Sequence, residues 1–338
     1  MATVRESTLQ RRRTNQALLI LVPLAVATGL FSNTIGVEWI VSPAAVHGVT
    51  AFAISILTPW KAPIVQRGMG RQGSSRWTSL LLLFLVATTL GSGLLHTTAL
   101  VGKVGPLTLM QIHIGGGLLA LVLVLAHYRS HPRPIRKPDL SRRAFLSAAG
   151  LSATATVAWF GWEGALRLTG SRGSDRRFTG SHERGSFDPA AMPVTSWWDD
   201  AVQSIDGTAW TINVAGSELT LDDIGAMPNR DLTAILDCTS AWYSEQVWTG
   251  IRLDALLETD KRSIDVSSAS GYGRRFPARD LDKLWLVTHV GGEPLSPGHG
   301  FPARIVAPGR RGFWWVKWVV AIEPTDTPSW WQLPFPTT

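Results

Sequence analysis

The stretch ILDCTSAWYSEQVWTG, residues 235 to 250, holds the chain's single cysteine, Cys238, among tryptophans, hydroxyl groups and one glutamate. One thiol cannot form an internal disulfide, so it is a small buried hydrophobe, a reactive group or a metal ligand. As a thiolate it would be a soft, electron-rich donor. Thiol-disulfide chemistry is disfavoured, because no second cysteine exists to resolve an oxidised sulfur. The other residues suited to chemistry are His47, His96, His113 and His127, which interrupt apolar stretches where an ionisable group is costly and usually functional.

The elements that carry these histidines are long apolar runs over residues 17–36, 44–60, 77–97 and 107–127, with a weaker fifth over 144–166. Each approaches the roughly 20 residues that cross a bilayer as a helix. Arginines and lysines cluster before the first run, between the second and third (Lys61, Arg67, Arg71, Arg76) and between the fourth and fifth (Arg129, Arg133, Arg136, Lys137, Arg142, Arg143). The two intervening loops contain only Lys103. The positive-inside rule therefore places the N-terminus in the cytoplasm and everything after the fifth span outside, with Trp39, Trp60 and Trp77 at the interfaces. His131 belongs to the basic inner loop.

On this topology His47, His96 and His113 share one depth near the outer face, and His127 lies at the inner end of the fourth span. Neutral imidazole is a standard axial ligand of haem iron, so a b-type haem held by two of the three is expected. Neighbouring helices lie about 8–10 Å apart, and diagonal helices of a four-helix bundle about 12–14 Å apart, enough for a macrocycle with an imidazole on each face. The second and fourth spans are diagonal, which selects His47 with His113. His96 is the alternative ligand, or faces the haem edge, a propionate or a quinone. His127 lies about 21 Å along the helix from His113, but the inner half of the second span offers no histidine partner, so one haem is expected. The competing reading makes these interfacial histidines bonded to loops.

The formal charge of +7 divides unevenly: residues 1–167 carry 16 Lys+Arg against 4 acids, and residues 168–338 carry 16 against 21. Basicity thus belongs to the loops of the membrane half, and a nucleic-acid partner is not expected. The fifth run opens with DLSRRAFLSAAG, whose paired Arg142 and Arg143 before small residues resemble a twin-arginine export signal. That resemblance implies the twin-arginine translocase as a partner and an outer domain that folds, with any cofactor, before export. The expected domains are residues 1–130, a four-helix cytochrome b-like unit embedded in membrane lipid; 139–167, the signal and anchoring helix; 168–186, a polar linker; and 187–338, an extracytoplasmic domain. Within the last, TAWTINVAG, DLTAILDCTS, KLWLVTHVGG and WWVKWVVAIEP alternate between Gly and Pro breaks, reading as an α+β, β-rich fold.

Two separated segments, LTLDDIGAMPNRDLTAILDCTSAWYSEQVWTGIRLDALLE and GEPLSPGHGFPARIVAPGRRGFWWVKWVVAIEP, resemble the molybdopterin-binding domain of the sulfite oxidase family over residues 185–325. Within that family the chain looks closest to bacterial membrane-attached members and to the catalytic subunit of the periplasmic methionine-sulfoxide reductase. It ends where animal sulfite oxidases continue into a dimerisation domain. The resemblance implies a molybdenum–molybdopterin cofactor with Cys238 as the protein's thiolate ligand. It further implies that His299, Arg304, Lys317 and the backbone of Val316 hold the cofactor, with Ser240 as a hydrogen-bond donor and Trp242 and Tyr243 as pocket walls.

One departure bears on substrate. Sulfite oxidases follow the cysteine with an Asn-Arg-Arg-type sequence and carry a further upstream arginine, whereas this chain reads SAWYSE, and SFDPAAMPVTSWW contains no arginine. Arg274 and Arg275 are candidates to rebuild the positive field. The expected activity is molybdopterin-dependent oxidoreduction, an oxo transfer to or from a small molecule. It is coupled through the haem to a quinone or another redox protein, with reduction of an S-oxide or N-oxide preferred. The alternatives are sulfite-oxidase-like dehydrogenation of a small substrate and a haem-only conduit whose outer domain holds no metal.

Overall fold

The computed structural model describes residues 2–37, 41–69, 75–130, 141–197 and 200–334. Trp39, Arg71, His131, Arg133, Arg136 and Lys137 lie outside them. The chain divides into two compact units, Met1–Thr34 with Glu38–Gly180, and Ile35–Val37 with Ser181–Thr338.

Among its described residues the first unit contains helices α1 (Ala2–Thr34), α2 (Val41–Met69), α3 (Ser75–Thr98), α4 (Leu109–Ser130) and α5 (Arg142–Leu168). Four stretches among the described residues are long and apolar enough to cross a membrane: Arg12–Thr34, Trp77–Thr98, Leu109–Arg129 and Arg142–Leu168. Helix α2 covers the expected second span, residues 44–60. Helix α1 packs on α2, α3 on α4, and α5 on α2. A side chain at Gly48 would collide with the Trp159 ring at 2.6 Å, so this glycine sets how closely α2 and α5 approach.

Helix α5 starts at a proper N-cap, with the Ser141 side chain accepting from the Ala144 N–H. The segment after it was expected to be linker from residue 168 to 186, but its first half is built into the helical unit. Ser171 Oγ donates to the Thr98 carbonyl at 2.9 Å, Arg176 pairs with Glu163, and His96 Nε2 sits 2.7 Å from the Gly180 carbonyl. Polar composition suggested slack chain; here the polar groups are spent on the ends of α3 and α5.

The second unit is two sheets around one core. The strands that matter are β1 (Thr211–Val214), β2 (Ser217–Thr220), β3 (Arg230–Cys238), β4 (Trp242–Arg252), β5 (Ser263–Ser268), β6 (Gly273–Pro277), β7 (Trp285–Val290), β8 (Arg304–Val306) and β9 (Val319–Thr325). One sheet joins β3 to β4, β4 to β7 and β7 to β8, all antiparallel, with Glu293–Pro294 and His182–Glu183 as short additions. The other runs β2-β1-β9-β5-β6, and its one parallel pair is β1 with β9. Strand β4 alternates strictly, burying Trp242, Ser244, Gln246 and Trp248, the pattern of a strand with one face in the core. Trp248, Phe276, Leu286, Ile305 and Ile322 are fully buried in that core. A six-residue helix, α6 (Leu221–Ala226), follows β2 and is closed by a capping box between Thr220 and Asp223.

Candidate cofactor sites

Cys238 is the last residue of β3 and faces Trp242, the first of β4, across the ladder. Three residues, Thr239 to Ala241, close the hairpin, with Ala241 at a positive φ of 72° where such loops need a left-handed residue. The Ala241 N–H donates to the Cys238 carbonyl at 3.1 Å, and the Ser240 N–H points at Cys238 Sγ at 3.5 Å. Burial raises the thiol above its ordinary range; the Ser240 contacts and the nearby Arg311 charge oppose that rise. Trp242 shares the cysteine's face and anchors its indole on Thr195 Oγ1 at 3.0 Å. Tyr243, expected as a second wall, pairs instead with Asp237, and the two-residue alternation of a strand turns it to the opposite face.

The cationic side of the site comes from the second motif. His299 ends a short turn, Pro297–His299, capped by Ser296. Its Nδ1 lies 2.9 Å from Ser296 Oγ and its Nε2 3.2 Å from the Met192 carbonyl. The carbonyl requires the proton on Nε2, which leaves Nδ1 to accept from the serine. Burial, then the Arg304 charge, hold His299 down to about 4. Gly300 follows at φ 108°, and a Cβ there would lie 3.1 Å from both the Arg304 and Lys317 Cβ atoms. The absence of a side chain lets the two cationic strands close.

Arg304 is fully buried, donates to the carbonyls of His299 (2.9 Å) and Trp315 (3.3 Å), and stacks near Trp248 and Trp315. Its Nε has no protein partner. Burial lowers it to about 9, against the pull of Cys238. Lys317 donates to the carbonyls of Gly298 (2.7 Å) and Thr195 (2.9 Å), and burial followed by Arg304 lowers it to about 7. Both cations feel the Cys238 sulfur, so the structure brings Cys238, His299, Arg304 and Lys317 into one cluster. Val316 is buried and its carbonyl accepts from the Ile305 N–H at 2.7 Å.

The arginine-free segment SFDPAAMPVTSWW proves part of this cluster. Its Met192 and Thr195 carbonyls and Thr195 hydroxyl hold His299, Lys317 and Trp242. Arg274 and Arg275 do not join. Arg275 is committed to Asp265 through two bonds of 2.7 and 2.9 Å, and Arg274 is buried 4.2 Å over the Trp314 ring. Arg311, which the sequence reading passed over, is buried beneath Cys238 in an ion pair with Asp237.

In the helical unit, His47 on α2 and His113 on α4 face each other with ring centroids 5.7 Å apart and planes at 88°. Each Nδ1 is bonded to a helix carbonyl, Ala25 at 2.9 Å and Thr89 at 2.8 Å, which leaves each Nε2 for another partner. A Cβ at Gly29 or Gly93 would fall 2.9 or 2.8 Å from these imidazoles, so both glycines make room for the rings. The pair lines a cavity of about 560 Å³ together with His96, Glu163, Arg176 and Arg177. Among the described residues no group of three or more His, Cys, Asp or Glu side chains is arranged to hold a metal by itself.

Residues 199–331 match the model of the oxidoreductase molybdopterin binding domain family. Human mitochondrial sulfite oxidase is 27% identical over 175 residues, covering 39% of this chain and 32% of that protein. The uncharacterized oxidoreductase YuiH of Bacillus subtilis is 28% identical over 142 residues, covering 38% and 72%. Tobacco nitrate reductase [NADH] 1 is 28% identical over 180 residues, covering 39% and 19%. Among solved structures, the sulfane dehydrogenase SoxCD of Paracoccus pantotrophus matches with a TM-score of 0.35 at 23% identity, covering 37% of this chain and 40% of that one. The chain spans about a third of the length of the sulfite oxidases it matches. Its C-terminal unit thus matches an oxidoreductase molybdopterin binding domain, similar to that of the sulfite oxidases.

Proposed function

We propose that this chain is a membrane-anchored molybdenum-cofactor oxidoreductase acting on the extracytoplasmic side. In this reading it reduces an S-oxide or N-oxide with electrons drawn from quinol, or from another redox protein, by way of a b-type haem. The observation that carries the proposal is the convergence of one thiol, Cys238, with the buried cations Arg304 and Lys317 and with His299. Arg304 and Lys317 are two buried cations near one thiol, with Asp200 acting on Lys317, and Arg304 Nε is a buried donor without a protein acceptor, a surplus that an anionic ligand would use. These residues fit a phosphate-bearing cofactor that coordinates a soft metal.

Molybdopterin, when bound, supplies two-electron oxo-atom chemistry, and haem supplies single-electron transfer. The protein's part is to hold and to exclude. Cys238 offers the thiolate, the charges of Arg304 and Lys317 attract the phosphate, the neutral His299 ring, its N–H held by the Met192 carbonyl, borders the site, and Trp242 closes one side against water. Val316 contributes through its backbone and Ser240 steadies the sulfur. Because Arg274 and Arg275 are committed elsewhere, the cradle for a sulfite-like oxyanion is weakened, which supports the reductase direction.

In the helical unit, His47 and His113 would hold the haem, with their Nδ1 atoms bonded to the Ala25 and Thr89 carbonyls so that Nε2 is the nitrogen free to ligate. Arg142 and Arg143 open α5, where positive charge opposes the helix dipole. Their presence there is better accounted for by topology and export than by helix stability.

Elemental analysis of the purified full chain tests the core of this reading. Molybdenum near one per chain is expected, with Cys238→Ser losing both the metal and the reduction of dimethyl sulfoxide or trimethylamine N-oxide by a reduced viologen dye. Iron without molybdenum would leave only an electron conduit.

A further inference from the structure

We infer that Arg311 is a positioning residue for Cys238, holding the peptide that aims the thiol at the metal; the inference rests on the proposed function above. The ladder with Trp242 ends at Cys238, and beyond it only an isolated bridge between Asp237 and Arg311 continues the pairing. The Arg311 side chain adds to that bridge from below. Its Nη2 donates to the Cys238 carbonyl at 3.0 Å, while Nη1 pairs with Asp237 and reaches Ser181 Oγ at 3.3 Å. Ser181 donates in turn to Asp237 at 2.6 Å, so a buried triad lies beneath the sulfur's own residue. The next residue completes the support: a Cβ at Gly312 would lie 3.2 Å from the Cys238 Cα, so this segment runs flush against the cysteine backbone.

A simple ion pair would not need this arrangement. A planar guanidinium with forked donors can serve a carboxylate and a carbonyl together, which a lysine cannot do with the same geometry. With the Cys238 carbonyl held by Arg311 and by the Ala241 N–H, the principal freedom left to the thiol is rotation about its own Cα–Cβ bond. Groups that orient a metal ligand in this way typically change metal affinity about 10–100-fold when removed.

The test uses the purified full chain loaded with molybdenum. Arg311→Met alone strands the Asp237 carboxylate in the interior and could prevent folding. The informative variant is therefore Arg311→Met combined with Asp237→Asn, which removes both charges and keeps a partner for Ser181. It should fold, with a melting profile close to that of the parent. Metal should leave it about 10–100-fold faster during dialysis, and the paramagnetic resonance spectrum of half-reduced bound molybdenum should shift. Arg311→Lys should fall between the two. Parent-like spectrum and metal retention in the double variant would overturn the inference. Failure of the underlying reading is distinguishable, because it would show as an absence of molybdenum in the unsubstituted protein, with Arg311 untouched.

Discussion

Replacing Arg304 with methionine separates a residue that maintains the fold from one that waits for an anion. The guanidinium is fully buried, and burial lowers it from its ordinary range to about 9. At 1.36 kcal/mol per unit, keeping it charged at neutral pH costs the cofactor-free protein about 5 kcal/mol. The sign follows from the depressed value: the cost is fully present below about pH 9 and fades as the pH rises above it. Methionine removes that cost but strips charged donors from the His299 and Trp315 carbonyls, worth about 1.5–3 kcal/mol each. The two effects nearly cancel. Cofactor-free Arg304→Met should therefore unfold within about 2 kcal/mol of the parent, a shift in Tm of no more than about 4–8 °C. The loaded proteins should differ sharply, with the variant recovered almost empty of molybdenum. Thermal unfolding of protein made in cells unable to synthesise molybdopterin, followed by tryptophan fluorescence, measures the first quantity, and elemental analysis the second. A loss of more than about 5 kcal/mol in the cofactor-free state would refute the reasoning, because it would make Arg304 a structural strut with no surplus donor for a ligand.

The remaining predictions concern the same two sites. His299 is held at about 4 against 6.5 when unfolded, so stability of the cofactor-free protein should rise with pH between those values. The rise is up to about 3 kcal/mol, and His299→Gln should flatten that limb of a Tm-against-pH plot. Gly300→Ala places a side chain at φ 108° between Arg304 and Lys317; it should cost about 1–3 kcal/mol, read by thermal unfolding, and lower molybdenum content. Alanine at His47 or His113 should abolish the reduced-minus-oxidised visible spectrum, while His96→Ala keeps most of it. Loss with His96 but not with His47 would overturn the assignment of the axial pair.

What could be read from the sequence depended on whether a residue acts through its side chain. Cys238, His299, Arg304 and Lys317 carry their chemistry in distinctive groups set in two motifs, and they converge. Met192 and Thr195 were illegible because they hold His299 and Lys317 by main-chain carbonyls, which every residue possesses. Arg311 was hidden in a basic doublet, with its partner Asp237 74 positions away. Tyr243 was misplaced for a simpler reason: neighbours on a strand face opposite ways, and only the register says which one shares the thiol's side. Gly29 and Gly93 could have been suspected, since glycine inside a helix is costly without a reason, and the imidazoles of His47 and His113 supply that reason. The first half of the expected linker was misread because serine and arginine look identical in a slack chain and in a set of helix-end bonds.

The parallel pairing of β1 with β9 joins residues 213 and 214 to 321 and 322. About a hundred residues must therefore follow β1 out of the ribosome before that sheet can close, and contacts so distant along the chain form slowly. Until then the sheet presents unpaired edges, a state in which nascent chains aggregate or recruit chaperones. Synthesis rate and chaperone supply, more than promoter strength, should limit the yield of active protein in a foreign host.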